Sequence, residues 1–106
     1  MLMSDAGGAS PVSNGTLVFH PSWIGYPTPP ENSPIPSNFE SHYRAGNHGE
    51  QETQLPGAPA GPYSTDLDIL PLTDPAPNGL WKLYIYDDKS GQTGVVQDSW
   101  SLRFYY

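Results

Sequence analysis

Asp87, Asp88, Ser90, Gln92 and Asp98 place five oxygen-bearing side chains on one connection. Hard oxygen donors are what Ca²⁺ requires, and carbonyls near Gly91 and Gly94 could add further ligands. The same aspartates also suit a plainer task, capping backbone N–H groups in a turn, and both readings stand. Asp66, Asp68 and Asp74 form a second acidic group. There Asp66 and Asp68 alternate with Leu67 and Ile69, which is the pattern of a wet strand face.

Nitrogen ligands are scarcer. His42, His48, Glu50 and Glu52 lie close in sequence, but their spacing fits no structural zinc pattern, and they read as solvated loop residues. His20 sits beside a strand-like stretch. Nucleophilic chemistry has no carrier here: the chain lacks a Gly-x-Ser-x-Gly elbow and a Gly-Thr-Ser nucleophile segment. No catalytic residue is expected.

The charge balance narrows the partners. The formal net charge is −7, and the only basic residues are Arg44, Lys82, Lys89 and Arg103. That leaves no basic face to displace counterions from nucleic acid, and none to hold an anionic membrane surface. With no cysteine there is neither a disulfide framework nor a thiolate metal site. No apolar run approaches a membrane span. The opening Met1-Leu2-Met3-Ser4-Asp5 lacks a basic region and a long apolar segment and does not read as a signal peptide; if the protein is exported, its signal is expected upstream.

These residues need elements to position them. A chain of 106 residues is one domain or part of one, and 36% hydrophobic residues with 13 Pro and 11 Gly bring it close to the composition of disordered chains. Three Trp, seven Tyr and three Phe nevertheless call for a packed environment or a partner. Strand patterns stand out in three places. Thr16-Leu17-Val18-Phe19-His20 is β-rich and follows the turn pair Asn14-Gly15, which with Thr16 also spells a glycosylation sequon. Residues 80–86 alternate, with Trp81, Leu83 and Ile85 on one face. Residues 99–105 alternate again, with Trp100, Leu102 and Phe104 together. These six residues are the expected core, Trp81 and Trp100 its anchors. Half-buried alternation of this kind belongs to antiparallel sheets.

Residues 21–63 contrast with this. Nine prolines punctuate them, from Pro21 to Pro62, and no period is visible. The expectation is a long irregular excursion, pinned by Trp23, Ile24, Tyr26, Phe39 and Tyr43. No internal repeat is evident. Tyr84, Tyr86, Tyr105 and Tyr106 suit cross-strand packing better than an outward aromatic strip.

The closing residues carry a family pattern. Asn78-Gly79-Leu80-Trp81-Lys82-Leu83-Tyr84-Ile85-Tyr86-Asp87-Asp88, then Ser90-Gly91-Gln92-Thr93-Gly94, then Asp98-Ser99-Trp100-Ser101-Leu102, resemble the end of a proprotein-convertase P domain of bacterial type. Gly79, Trp81, Leu83, Asp87, Gly91, Gly94, Trp100 and Leu102 fit its closing motif; Gln92 stands where an acidic residue is frequent. Met1 to Gly8 resembles an earlier strand and turn of such domains, without the strands that normally precede it. The resemblance implies a jelly-roll-like antiparallel β-sandwich, truncated at its N-terminus, formed by residues 1–106 as a single module.

It further implies a secreted or cell-surface protein. The expected function is that of a non-catalytic accessory domain, stabilising or docking on a subtilisin-like serine protease or another exported partner, with Ca²⁺ the candidate cofactor if the Asp87–Asp98 aspartates do more than cap a turn. The alternative is a free-standing surface or adhesion module that binds carbohydrate or assembles with copies of itself.

Overall fold

The computed structural model describes residues 1–4, 6–8, 10–49, 54–65, 67, 80–86, 94–96 and 99–103. Over these the chain is all-β, with four strands and a single 3₁₀ turn at Ser22–Ile24. The strands are β1 (Met3–Ser4), β2 (Thr16–His20), β3 (Glu40–Arg44) and β4 (Gly46–Asn47). β2 has the bounds its sequence pattern predicts.

Both ladders run parallel, which corrects the antiparallel expectation for these strands. β2 pairs with β3 from Thr16↔Glu40 to His20↔Arg44, and β1 pairs with β4 through Met3↔Gly46 and Ser4↔Asn47. A parallel pair needs a long crossover instead of a tight turn, and residues 21–39 provide it. The crossover leaves β2 through the 3₁₀ turn, which Gly25 ends at φ 91 by donating to the Ser22 carbonyl. A positive φ there suits glycine, which has no Cβ to clash.

A repeat invisible in the sequence emerges from this register. Ser10-Pro11-Val12-Ser13-Asn14 precedes β2, and Ser33-Pro34-Ile35-Pro36-Ser37-Asn38 precedes β3. Asn14 and Asn38 both take the left-handed conformation, at φ 52 and φ 54. The Asn14 side-chain amide donates to Asn38 Oδ1 at 3.2 Å, and Ser13 N–H donates to Ser37 Oγ at 2.9 Å, both across 24 residues. The two stretches enter their strands in the same way and stack like on like. The single extra proline, Pro36, hides the match from a fixed-period comparison.

The β2–β3 ribbon has two unlike faces. Leu17, Phe19, Ser41 and Tyr43 point one way, with the Phe19 and Tyr43 rings 6.5 Å apart. Ser41 and Tyr43 are buried, and Ile35 at 4% exposure packs the same small core. Thr16, Val18, His20, Glu40, His42 and Arg44 share the opposite, wetter face.

The proline-rich crossover closes the core through its carbonyls. Pro27, Pro29 and Pro30 have no N–H to give, so at these positions the run can only accept hydrogen bonds. Arg44 N–H donates to the Pro27 carbonyl, His48 Nε2 to Pro29, Gly7 N–H to Pro30 and Gly8 N–H to Glu31. Pro29 is fully buried. The stretch 21–63, expected to be irregular, therefore contains two strands, a paired crossover and most of the buried residues. Its prolines do not break structure; their carbonyls accept hydrogen bonds from neighbouring segments.

Of the residues expected to pin the excursion, Tyr43 is buried, while Trp23 is 76% and Phe39 62% exposed. Further on, Tyr63 ties residues 54–65 together: its hydroxyl donates to the Pro59 carbonyl and accepts from Leu55 N–H.

The expected core lies among segments that are only partly described, since residues 68–79, 87–93, 97–98 and 104–106 lie outside the described residues. Trp81 is 41%, Leu83 38%, Ile85 68%, Trp100 47% and Leu102 43% exposed, and residues 80–86 and 99–103 join no strand ladder. Phe104 lies outside the described residues. The core of the described residues lies instead around Pro29, Ile35 and Tyr43.

Candidate functional site

The wet face of the ribbon gathers the described histidines that interact. In the β2–β3 register Val18 lies opposite His42, so His20 is the diagonal neighbour of His42 on the same face. Diagonal pairs are within reach of long or aromatic side chains. His20 Nε2 and His42 Nδ1 stand 2.7 Å apart. Glu40, two residues before His42 on β3, brings Oε1 to 2.8 Å from His42 Nε2. This last contact is partly exposed, with 32% and 61% of the two side chains accessible.

The chain of contacts assigns the protons. A carboxylate only accepts, so His42 Nε2 carries a hydrogen and donates to Glu40. With His42 neutral, its Nδ1 is an acceptor, and His20 donates to it from Nε2. The His20 and His42 ring centroids lie 5.0 Å apart at 20° between planes. That separation is little more than the N···N distance and the two ring radii laid end to end, so the rings meet edge to edge in nearly one plane. Tyr26, just after the 3₁₀ turn, lies over both, at 4.5 Å from His20 and 5.3 Å from His42. Its π face covers the junction.

Such an array can hold a positive charge. A carboxylate stands at one end and an electron-rich ring face above, and both favour a cation between them. It is poorly built for nucleophilic catalysis. His42 has a carboxylate on one nitrogen, as a catalytic histidine would, but its other nitrogen is occupied by His20 where a hydroxyl or thiol would have to sit.

The remaining candidates separate. His48 donates to the Pro29 carbonyl at 2.7 Å, so it supports the crossover and does not join His42. Glu50 and Glu52 lie outside the described residues. So do Asp87, Asp88, Ser90, Gln92 and Asp98, the whole of the expected Ca²⁺ loop. Elsewhere the half-buried Met1 ammonium donates to the Ser64 carbonyl, and its burial pushes its pKa below the usual value.

Sequence reasoning missed the His20–His42–Glu40 cluster because its members come from strands far apart in the chain. One signal was present: Glu40-Ser41-His42 puts a carboxylate and an imidazole on one face of any strand. The chain matches no protein-family model, no curated protein and no solved structure.

Proposed function

We propose that the chain is a non-catalytic β module of an exported protein that completes its fold against a protein partner. The observation that carries this reading is the exposure of Trp81, Leu83, Ile85, Trp100 and Leu102, between 38% and 68% each. Apolar side chains that form a contiguous surface patch mark contact sites, and two alternating stretches of large ones would form such a patch if they pair. Their alternation along 80–86 and 99–103 suits strands whose apolar face meets a facing sheet. In this reading that face closes an all-β sandwich, and the partner is a subtilisin-like protease domain or another secreted protein. The Asp87–Asp98 connection then serves as a weak Ca²⁺ site at the rim. The occupied nitrogen of His42 supports a role without catalysis.

The test is to express a subtilisin-like catalytic domain joined to this chain and follow its half-life at elevated temperature. The comparison carries Trp81→Ser, Leu83→Ser and Ile85→Ser together. A half-life that is longer with the native chain than with the triple variant supports docking; equal half-lives overturn it. Trp23, 76% exposed at the 3₁₀ turn, favours a second reading as a carbohydrate-binding surface module. Retention on a polysaccharide matrix that Trp23→Ala abolishes would establish that one instead.

A further inference from the structure

We propose that His20 Nε2 and His42 Nδ1 form a two-nitrogen site for a divalent transition-metal cation, Cu²⁺ before Zn²⁺. Three observations converge on it. The two nitrogens point at one another along a common line, 2.7 Å apart. Glu40 accepts from the far nitrogen of His42, the arrangement by which a second-sphere carboxylate fixes the tautomer of a metal-binding histidine and raises its basicity. Tyr26 stacks on both rings, and His42 keeps about a third of its side chain (32%) accessible to solvent.

The geometry needs both a separation and a tilt of the two rings. Two imidazole nitrogens, each about 2.0–2.1 Å from a tetrahedral metal, stand roughly 3.3 Å from one another. The rings must therefore move apart by about half an ångström from their hydrogen-bonded 2.7 Å, and each must tilt by roughly 35° so that lone pairs now facing along the N···N line converge on a metal beside it. Protons balance without a co-reactant: His20 carries its hydrogen on Nδ1 instead of Nε2, and His42 keeps its own on Nε2 against Glu40. Among the described residues no three His, Cys, Asp or Glu side chains form a metal-holding group. The protein thus supplies two ligands, and water or a partner's side chain completes the shell. Imidazole pairs suit Cu²⁺ and Zn²⁺, with Cu²⁺ the tighter by the general order of divalent affinities. Arg44, the ladder partner of His20, is a like charge on this face, and it weakens the site without blocking it.

The test titrates CuSO₄, ZnCl₂ and CaCl₂ separately into the whole chain while the imidazole ¹⁵N resonances are observed. Zn²⁺ shifts, and Cu²⁺ broadens, the His20 and His42 ring signals; those of His48 move little, and Ca²⁺ moves neither ring. By calorimetry one Cu²⁺ binds per chain, Glu40→Gln weakens it by about 10–100-fold, and His20→Gln with His42→Gln removes it. Arg44→Gln tightens it a few-fold. Unmoved His20 and His42 rings at saturating metal overturn the proposal, as does uptake that survives the double substitution. If that variant fails to fold, the wild-type ring resonances alone decide.

Discussion

Gly46 lies so close to Thr28 that a Cβ built on it would stand 2.8 Å from Thr28 Cγ2 and 2.9 Å from Thr28 Cβ. Contacts that short are not tolerated by real Cβ atoms. β4 can therefore pass the crossover only because residue 46 has no side chain, and its N–H reaches the Leu2 carbonyl there at 3.0 Å. Gly46→Ala should cost about 1–3 kcal/mol as local overpacking. Urea denaturation checks this, and Thr28→Gly in the same chain should recover part of the loss because it removes both clashing atoms.

Tyr43 and Trp100 exchange the roles that their sequence contexts assign. Tyr43 is 8% exposed and faces Phe19 across the ladder, whereas Trp100 is 47% exposed. Tyr43→Ala should cost about 3–5 kcal/mol, the range for removing a buried aromatic ring. Trp100→Ala in the isolated chain should cost well under half of that. Equal losses in thermal or chemical unfolding would mean that Trp100 anchors the core after all.

The strand at 16–20 was legible because Leu17, Val18 and Phe19 form a compact β-rich run after a turn pair. β3 was not legible, because Glu40-Ser41-His42-Tyr43-Arg44 offers one large apolar residue, and its buried face is completed by a serine. Ser41 can serve there because Leu17, its ladder partner, and Tyr43 beside it fill the volume. The paired Asn14 and Asn38 could have revealed the second strand, had the extra Pro36 not shifted the flanking match. The alternation over 80–86 was real as a pattern. Yet a pattern records which face wants cover and leaves open who provides it. The histidine cluster was beyond reach for a related reason: its geometry depends on the pairing of β2 with β3.

Ser41 Oγ is buried with no hydrogen-bond partner among the described residues. A lone buried hydroxyl costs desolvation that nothing returns. Ser41→Ala should therefore leave the stability unchanged or raise it by about 1 kcal/mol, read as a higher urea midpoint at constant slope. A drop of similar size would reveal a hidden partner for the hydroxyl.

Calcium offers a further check on the proposed rim site. With a Kd near 10⁻³ M, as extracellular modules show, about 10 mM CaCl₂ should stabilise the native chain by roughly 1.4 kcal/mol through mass action. The melting temperature should rise accordingly and return with chelator. Asp87→Asn with Asp88→Asn should abolish the shift. No shift in the wild type would leave these aspartates as turn residues.

Trypsin distinguishes the two halves of the chain by the order of its cuts. Arg44 ends β3, pairs with His20 and donates its N–H to the Pro27 carbonyl at 2.9 Å. A protease needs an extended, unpaired segment in its cleft, so cleavage after Arg44 must wait for the ribbon to open locally. Lys82 lies in residues 80–86, which are exposed and in no ladder. Cleavage after Lys82 should therefore precede cleavage after Arg44, the reverse of what the proline content of 21–63 suggests. Mass spectrometry of early fragments reads the order directly. If a partner domain is present and docks on Trp81, Leu83 and Ile85, the Lys82 cut should slow while the Arg44 cut keeps its rate. Arg44 cutting first in the isolated chain would mean that the β2–β3 ribbon opens more readily than its paired crossover implies.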